Sequence, residues 1–312
     1  MDSLIYSLNA TVPVFLVMII GYILRRMGMF SEEFINNANK FNFKVTLPAL
    51  LIKDLMNTDF KAVFDVKYFI FCFVVTLISI LVIWGFAKIV IKNKSITGEF
   101  VQTAYRSSAA VLGTAFAINI YGNTGMVPLM IIGSVPLYNV FAVIVLSLES
   151  KSKGKVKIKD AVINIIKNPI LIGIVIGLVL SVAEIKFPTV VNTTLDNFAK
   201  MATPLALVCI GAAFEGRKAI KLVKPTLLVA MIKLVILPVV FVPVAVACGF
   251  TGAKLVAVII MLGAPATPSC YIMARNMGYD GVLTSGAVVL TTVMSAFTIT
   301  ACLFVVRYLG LV

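Results

Sequence analysis

The run AKLVAVIIMLGAPATPSCYIMAR, residues 253–275, decides the fold. It is apolar and long enough to cross a bilayer, which takes about 20 residues. Yet GAPATPS (263–269) sets Pro265 and Pro268 near its middle, and each proline removes a backbone donor. Unpaired backbone groups cannot face lipid, so such a break survives only inside protein or around a wet cavity. Half-helix N-termini exposed there carry partial positive charge and spare N–H donors. The break therefore reads as an anion-attracting site formed by Pro265, Ala266, Thr267, Pro268 and Ser269. A proline kink with only a packing role is the competing reading.

Nine further apolar runs lie near 4–24, 38–57, 67–91, 101–121, 127–148, 164–184, 196–215, 222–249 and 283–308. Composition agrees with ten spans. Apolar residues make up 61% of the 312, and charged residues 13%. A soluble domain has about 45–50% and about 25%. The sequence predicts an all-α integral membrane protein. The first run follows Asp2 rather than a basic segment and is too long for a signal-peptide core, so it reads as a retained span.

The net charge of +14 would suggest nucleic acid in a soluble protein, but here it reports topology. Alternating the loops puts seventeen basic residues on one side, among them Arg25, Arg26, Lys88, Lys92 and Arg217. Seven lie on the other side, including Lys53, Lys186 and Lys254. The positive-inside rule makes the first side cytoplasmic and both termini extracytoplasmic, in the cell membrane. KSKGKVKIKD (151–160) then reads as a solvated cytoplasmic loop, with anionic-lipid contact secondary.

The chain also repeats at an offset of 156. Pro13, Gly21, Pro48, Gly122 and Gly125 fall on Pro169, Gly177, Pro204, Gly278 and Gly281. Chance placement gives roughly one such match. Pro and Gly set backbone geometry, so their coincidence is informative. The domain reading is a five-helix repeat over 1–150, a basic linker over 151–163, and a second five-helix repeat over 164–312. An odd number of spans inverts the second repeat, an architecture of many secondary transporters. The partner of the break in the ninth run is the fourth run, with Arg106, Ser107, Ser108 and Gly113. Broken helices 4 and 9 are expected to cross.

Assigning the other basic residues to the two faces leaves three in the membrane: Lys44, Arg106 and Lys233. Each costs about 2.5–3.5 kcal/mol at the bilayer centre. Lys233 lies near the midplane, where it reads as the partner of a substrate carboxylate or as a cation paired with a carbonyl. Arg106 lies a turn or two from the cytoplasmic end, where snorkelling competes with a site role. Asp54 is the one acid read as embedded, and the inner part of the fourth run reads as free of acids. Thr291, Ser295 and Thr298 form one helix face, read first as packing and second as pore lining.

Several chemistries are excluded. There is no His, so no Ser-His-Asp triad and no His-based zinc helix. The five Cys form no Cys-x-x-Cys pair, and neither a phosphate loop nor a dinucleotide fingerprint occurs. No enzyme activity and no cofactor are expected.

GYILRRMGMFSEE (21–33), LPALLIKDL (47–55), ATPLALVCIGAAF (202–214), IKLVILPVV (232–240) and APATPSCYIMARNMGYDGVLTSGAVVLTTVMSAFTI (264–299) resemble the auxin efflux carrier family, in its prokaryotic form. The resemblance implies a fold related to the bile acid/sodium symporter type. The resemblance implies ten transmembrane helices in two inverted repeats, a scaffold with a mobile transport domain, and crossing breaks in helices 4 and 9. It implies a secondary transporter for small organic anions, mono- or dicarboxylates, working by alternating access. This sequence has Ser108 where the family motif has Asn, and Ala115 where it has Pro. Ser108 offers one donor and less reach. Proton or sodium coupling and a homodimer are compatible with the sequence. The rival readings are a sodium-coupled organic anion symporter of bile-acid type and a non-transporting anion-binding membrane receptor.

Overall fold

The computed structural model describes residues 2–56, 65–109, 117, 121, 125–149, 166–185 and 187–312, with side chains from residue 12 onward. Gly113, Ala115 and the basic linker 151–163 lie outside the described residues. The elements are α1 (Asp2–Arg26), α2 (Glu32–Phe41), α3 (Leu47–Met56), α4 (Val66–Val90), α5 (Thr97–Tyr105), α6 (Val127–Leu148) and α7 (Pro169–Val182). There follow α8 (Thr189–Ala212), α9 (Gly216–Lys221), α10 (Val223–Met231), α11 (Leu237–Ala247), α12 (Gly252–Gly263), α13 (Ser269–Asn276) and α14 (Val282–Tyr308). Among the described residues the only β-type pairing is an isolated antiparallel bridge between Ser107 and Ala266.

Four helical stretches among the described residues are long and apolar enough to cross a membrane: Val66–Val90, Val127–Leu148, Val223–Ala247 and Val282–Tyr308. Large apolar side chains point outward, among them Val82, Val182 and Phe304, with exposures of 63%, 73% and 70%. Water would penalise that surface, whereas lipid accepts it.

Two helices widen without breaking. Asn42–Thr46 joins α2 to α3, and Ile232–Ile236 joins α10 to α11. In each, a backbone N–H reaches five residues back: Leu47 to Asn42 and Leu237 to Ile232. Both wide turns precede a proline, Pro48 and Pro238. A proline ring crowds the carbonyl four residues back and offers it no donor, so the local winding loosens. Lys233 sits in the second of these turns.

Packing sorts the helices into two bundles. In the first, α1 lies on α8, α3 on α7, and α3 on α8. In the second, α4, α5 and α6 pack together, α10 lies on α14, and α12 contacts α11, α14 and α6. Each bundle draws on both halves of the chain. The bundles meet where α1 runs along α14 and where α13 touches α2 and α8.

Glu99 ties the second bundle together and escapes the sequence reading, which found no acid in the inner part of this helix. It is buried on α5 and accepts from Gly281 N (3.2 Å), Thr284 N (3.1 Å) and Thr284 Oγ1 (2.6 Å). Those are donors at the start of α14, whose preceding residue Gly281 has φ +71 and supplies no capping side chain. A carboxylate from another helix therefore does the capping, in the place the helix dipole favours. Replacing Glu99 with Ala strands these donors in the interior. The expected cost is about 2–4 kcal/mol of stability, read as a lower melting temperature of purified protein.

At one end of the molecule Lys254 pairs with Asp65 at 2.5 Å, across from the start of α4. The hydrogen bond from Lys254 holds the Asp65 carboxyl below its ordinary range.

Candidate functional site

The two stretches read as breaks leave the helix where they approach each other. α5 ends at Tyr105, and Arg106 is extended with φ −74 and ψ 129. α12 ends at Gly263, and Ala264 is extended with φ −65 and ψ 152. Ser107 bridges Ala266, and Ser108 N donates to Pro265 O at 2.9 Å. The fourth-run break forms at Arg106–Ser108 without any proline in those residues.

The prolines explain which carbonyls are free. Pro265 has no N–H for Met261 O, four residues back. That carbonyl instead accepts from Ser107 Oγ at 2.5 Å and Tyr138 Oη at 3.2 Å. Ala266 N turns away from Leu262 O and donates to Thr291 Oγ1 at 3.0 Å. Thr291 is thus a brace for the break, a role its place on a small polar stripe does not reveal.

Lys233 is fully buried against the freed carbonyls. Its Nζ donates to Tyr105 O at 3.1 Å, to Leu262 O at 3.0 Å and to Ser107 Oγ. These partners use its three N–H groups, and Lys233 does not line the cavity described next. The arrangement favours the carbonyl pairing over the substrate-carboxylate role.

Arg106 points inward and is 2% exposed, so it does not snorkel. Its guanidinium donates to Asn139 Oδ1 at 2.7 Å, Ser269 Oγ at 2.9 Å, Gln102 Oε1 and Met273 Sδ. All four acceptors are neutral. Among the described residues no carboxylate pairs with it. Its Nε is buried without a partner. A buried cation held by neutral groups keeps most of its field, and an unused donor is a standing cost.

Arg106 lines a cavity of about 80 Å³ between the two bundles. One wall is the second bundle: Ser107, Ser108 and Ala109 from one break, Thr267, Pro268 and Ser269 from the other, with Tyr138 and Asn139 of α6. The facing wall is the first bundle: Leu47, Leu51 and Asp54 of α3, Ile170 of α7, and Ala202, Thr203 and Ala206 of α8. At about 30 Å³ per water, that volume holds roughly two or three waters. Of the residues singled out from sequence, Arg106, Ser107, Ser108, Thr267, Pro268 and Ser269 meet at this cavity. Pro265 and Ala266 form the crossing behind it, with Lys233. Asn139 and Thr203 were not foreseen, because a single polar residue in an apolar run carries no mark of the face it takes.

Comparison with known proteins decides the family. The family model described as "Membrane transport protein" matches residues 6–303. The chain belongs to that family, the auxin efflux carrier family of the resemblance. It is similar to an uncharacterized transporter of Methanothermobacter thermautotrophicus, 21% identical over 93% of this chain and 95% of that protein. It is also similar to the uncharacterized transporter YfdV of Escherichia coli, 23% identical over 97% and 98%. The family is one of membrane transporters, and this member is a multi-pass membrane protein.

Proposed function

We propose that the protein is a secondary transporter of small organic anions in the cell membrane. The carrying observation is the Arg106 guanidinium, buried without a carboxylate partner among the described residues and lining a cavity between two bundles at the crossing of two helix breaks. In this reading a substrate carboxylate pairs with Arg106, and Ser108, Thr267 and Ser269 supply hydroxyl donors. The chain spans the membrane ten times as two inverted five-helix repeats, with both termini outside. The bundle of α4–α6 and α10–α14 moves as a unit against α1–α3, α7 and α8. The substrate sits at the seam, so the motion carries it from one side to the other. The protein is read as a carrier rather than an enzyme, because its family is one of membrane transporters.

The test is a thermal-shift series of mono- and dicarboxylates on purified protein, followed by flux of the stabilising acids in proteoliposomes. Saturable flux supports the reading. Binding without flux makes the protein a receptor, and flux that needs sodium makes it a symporter of the bile-acid type.

The prolines have their own test. In a Pro265→Ala, Pro268→Ala variant, a new N–H at residue 265 competes for Met261 O and favours continued helix. Flux of the acid found above is expected to fall about tenfold or more, equivalent to losing ~1.4 kcal/mol, with unchanged amounts in the membrane. Wild-type flux in a fully inserted variant contradicts it.

A further inference from the structure

The geometry around Lys233 points to a built-in cation: we propose that its ammonium occupies, permanently, the place at the crossing where an ion-coupled carrier would hold a coupling cation. Tyr105 is the last residue of α5, and Leu262 is the last but one of α12. Both carbonyls therefore lie at helix C-termini, where the dipole is negative and backbone acceptors lack helical donors. Two such ends and a hydroxyl facing one point in the interior make a cation site of neutral oxygens. Broken-helix transporters use half-helix C-terminal ends and unwound carbonyls to hold Na⁺ or H⁺. Here Lys233 Nζ sits at that point, bonded to Tyr105 O, Leu262 O and Ser107 Oγ.

The side chain reaches the crossing from the wide turn before Pro238, on a third helical stretch. It is the same charge type as a coupling ion, but it cannot leave. Three consequences follow. The crossing needs no Na⁺ to stay assembled. The carrier does not couple substrate movement to a cation at this place. Removing the ammonium while leaving the oxygens exposes an empty site that suits a small monovalent cation. None of these depends on what the substrate is.

The experiment uses the full-length protein in detergent, with Lys233→Ala and, as a volume-matched neutral control, Lys233→Met. Melting temperature is followed in NaCl, methylammonium chloride and choline chloride at equal ionic strength, along with binding of radioactive sodium. Wild type is expected to melt at one temperature in all three salts and to bind no sodium at the crossing. Lys233→Ala is expected to melt roughly 5 °C or more lower in choline. Na⁺ or methylammonium should restore at least half of that loss, and sodium binding should appear. Lys233→Met fills the space with carbon and should be destabilised without cation rescue. Sodium binding by wild type that disappears on Ser107→Ala overturns the proposal. So does a Lys233→Ala protein that melts like wild type in choline or responds equally to all three salts. If neither Lys233 variant folds, the wild-type salt series and the Ser107→Ala comparison decide alone.

Discussion

Arg106→Gln is expected to weaken carboxylate binding about a hundredfold, equivalent to ~3 kcal/mol. A guanidinium inside an apolar protein keeps its energy tolerable only through hydrogen bonds, and Arg106 has four neutral acceptors and one unused donor. Such a group gains more from an arriving anion than a solvated arginine would, because its desolvation has already been met in folding. Gln keeps a donor for Asn139 or Ser269 but removes the charge. Arg106→Lys should fall between, since an ammonium restores charge without the planar fork. Calorimetry with the acid that most stabilises wild type reads the effect directly. An unchanged dissociation constant for Arg106→Gln would remove Arg106 from the site.

Gly211→Val is expected to abolish the folded state. α1 and α8 cross with their backbones almost touching. A Cβ built on Gly211 falls onto the carbonyl oxygen of Met18, with the carbonyl carbon at 2.7 Å. A Cβ on Gly21 falls onto the carbonyl oxygen of Val208, with the carbonyl carbon at 3.0 Å. The obstacle is helix backbone on both sides, which cannot rotate away as a side chain would. Association of helices in lipid relies on close packing, and small residues permit it. The cost should exceed about 4 kcal/mol, the range of severe overpacking. Loss of a monodisperse peak in detergent gives the readout. Gly85→Ala is the control: nothing lies within 4 Å of a Cβ there, and alanine favours helix. A Gly211→Val protein with wild-type melting would show that α1 and α8 can separate freely.

The legible part of the site was the part written in backbone chemistry. Pro265 and Pro268 announce a break because a missing N–H has its effect wherever the residue stands. The fourth-run break was harder to read, since Ser107 and Ser108 do not force one. It forms because the extended backbone finds partners, Pro265 O for Ser108 N and Met261 O for Ser107 Oγ. Glu99 was missed for a related reason. At the edge of an apolar run it looks like a loop acid, and its partners Gly281 and Thr284 are far away in sequence.

The charges separate the two kinds of information. The sequence by itself determined that the chain is helical and membrane-embedded and that Arg106 and Lys233 are costly residues inside it. Run length, apolarity and the loss of a donor are local properties. Only the tertiary structure decided what those cations face. Lys233 meets carbonyls 128 and 29 residues away, and Arg106 meets Asn139 and Ser269 on two other helices. Two cations of similar burial are therefore divided by packing: one saturated by helix ends, the other lining the cavity with a donor to spare.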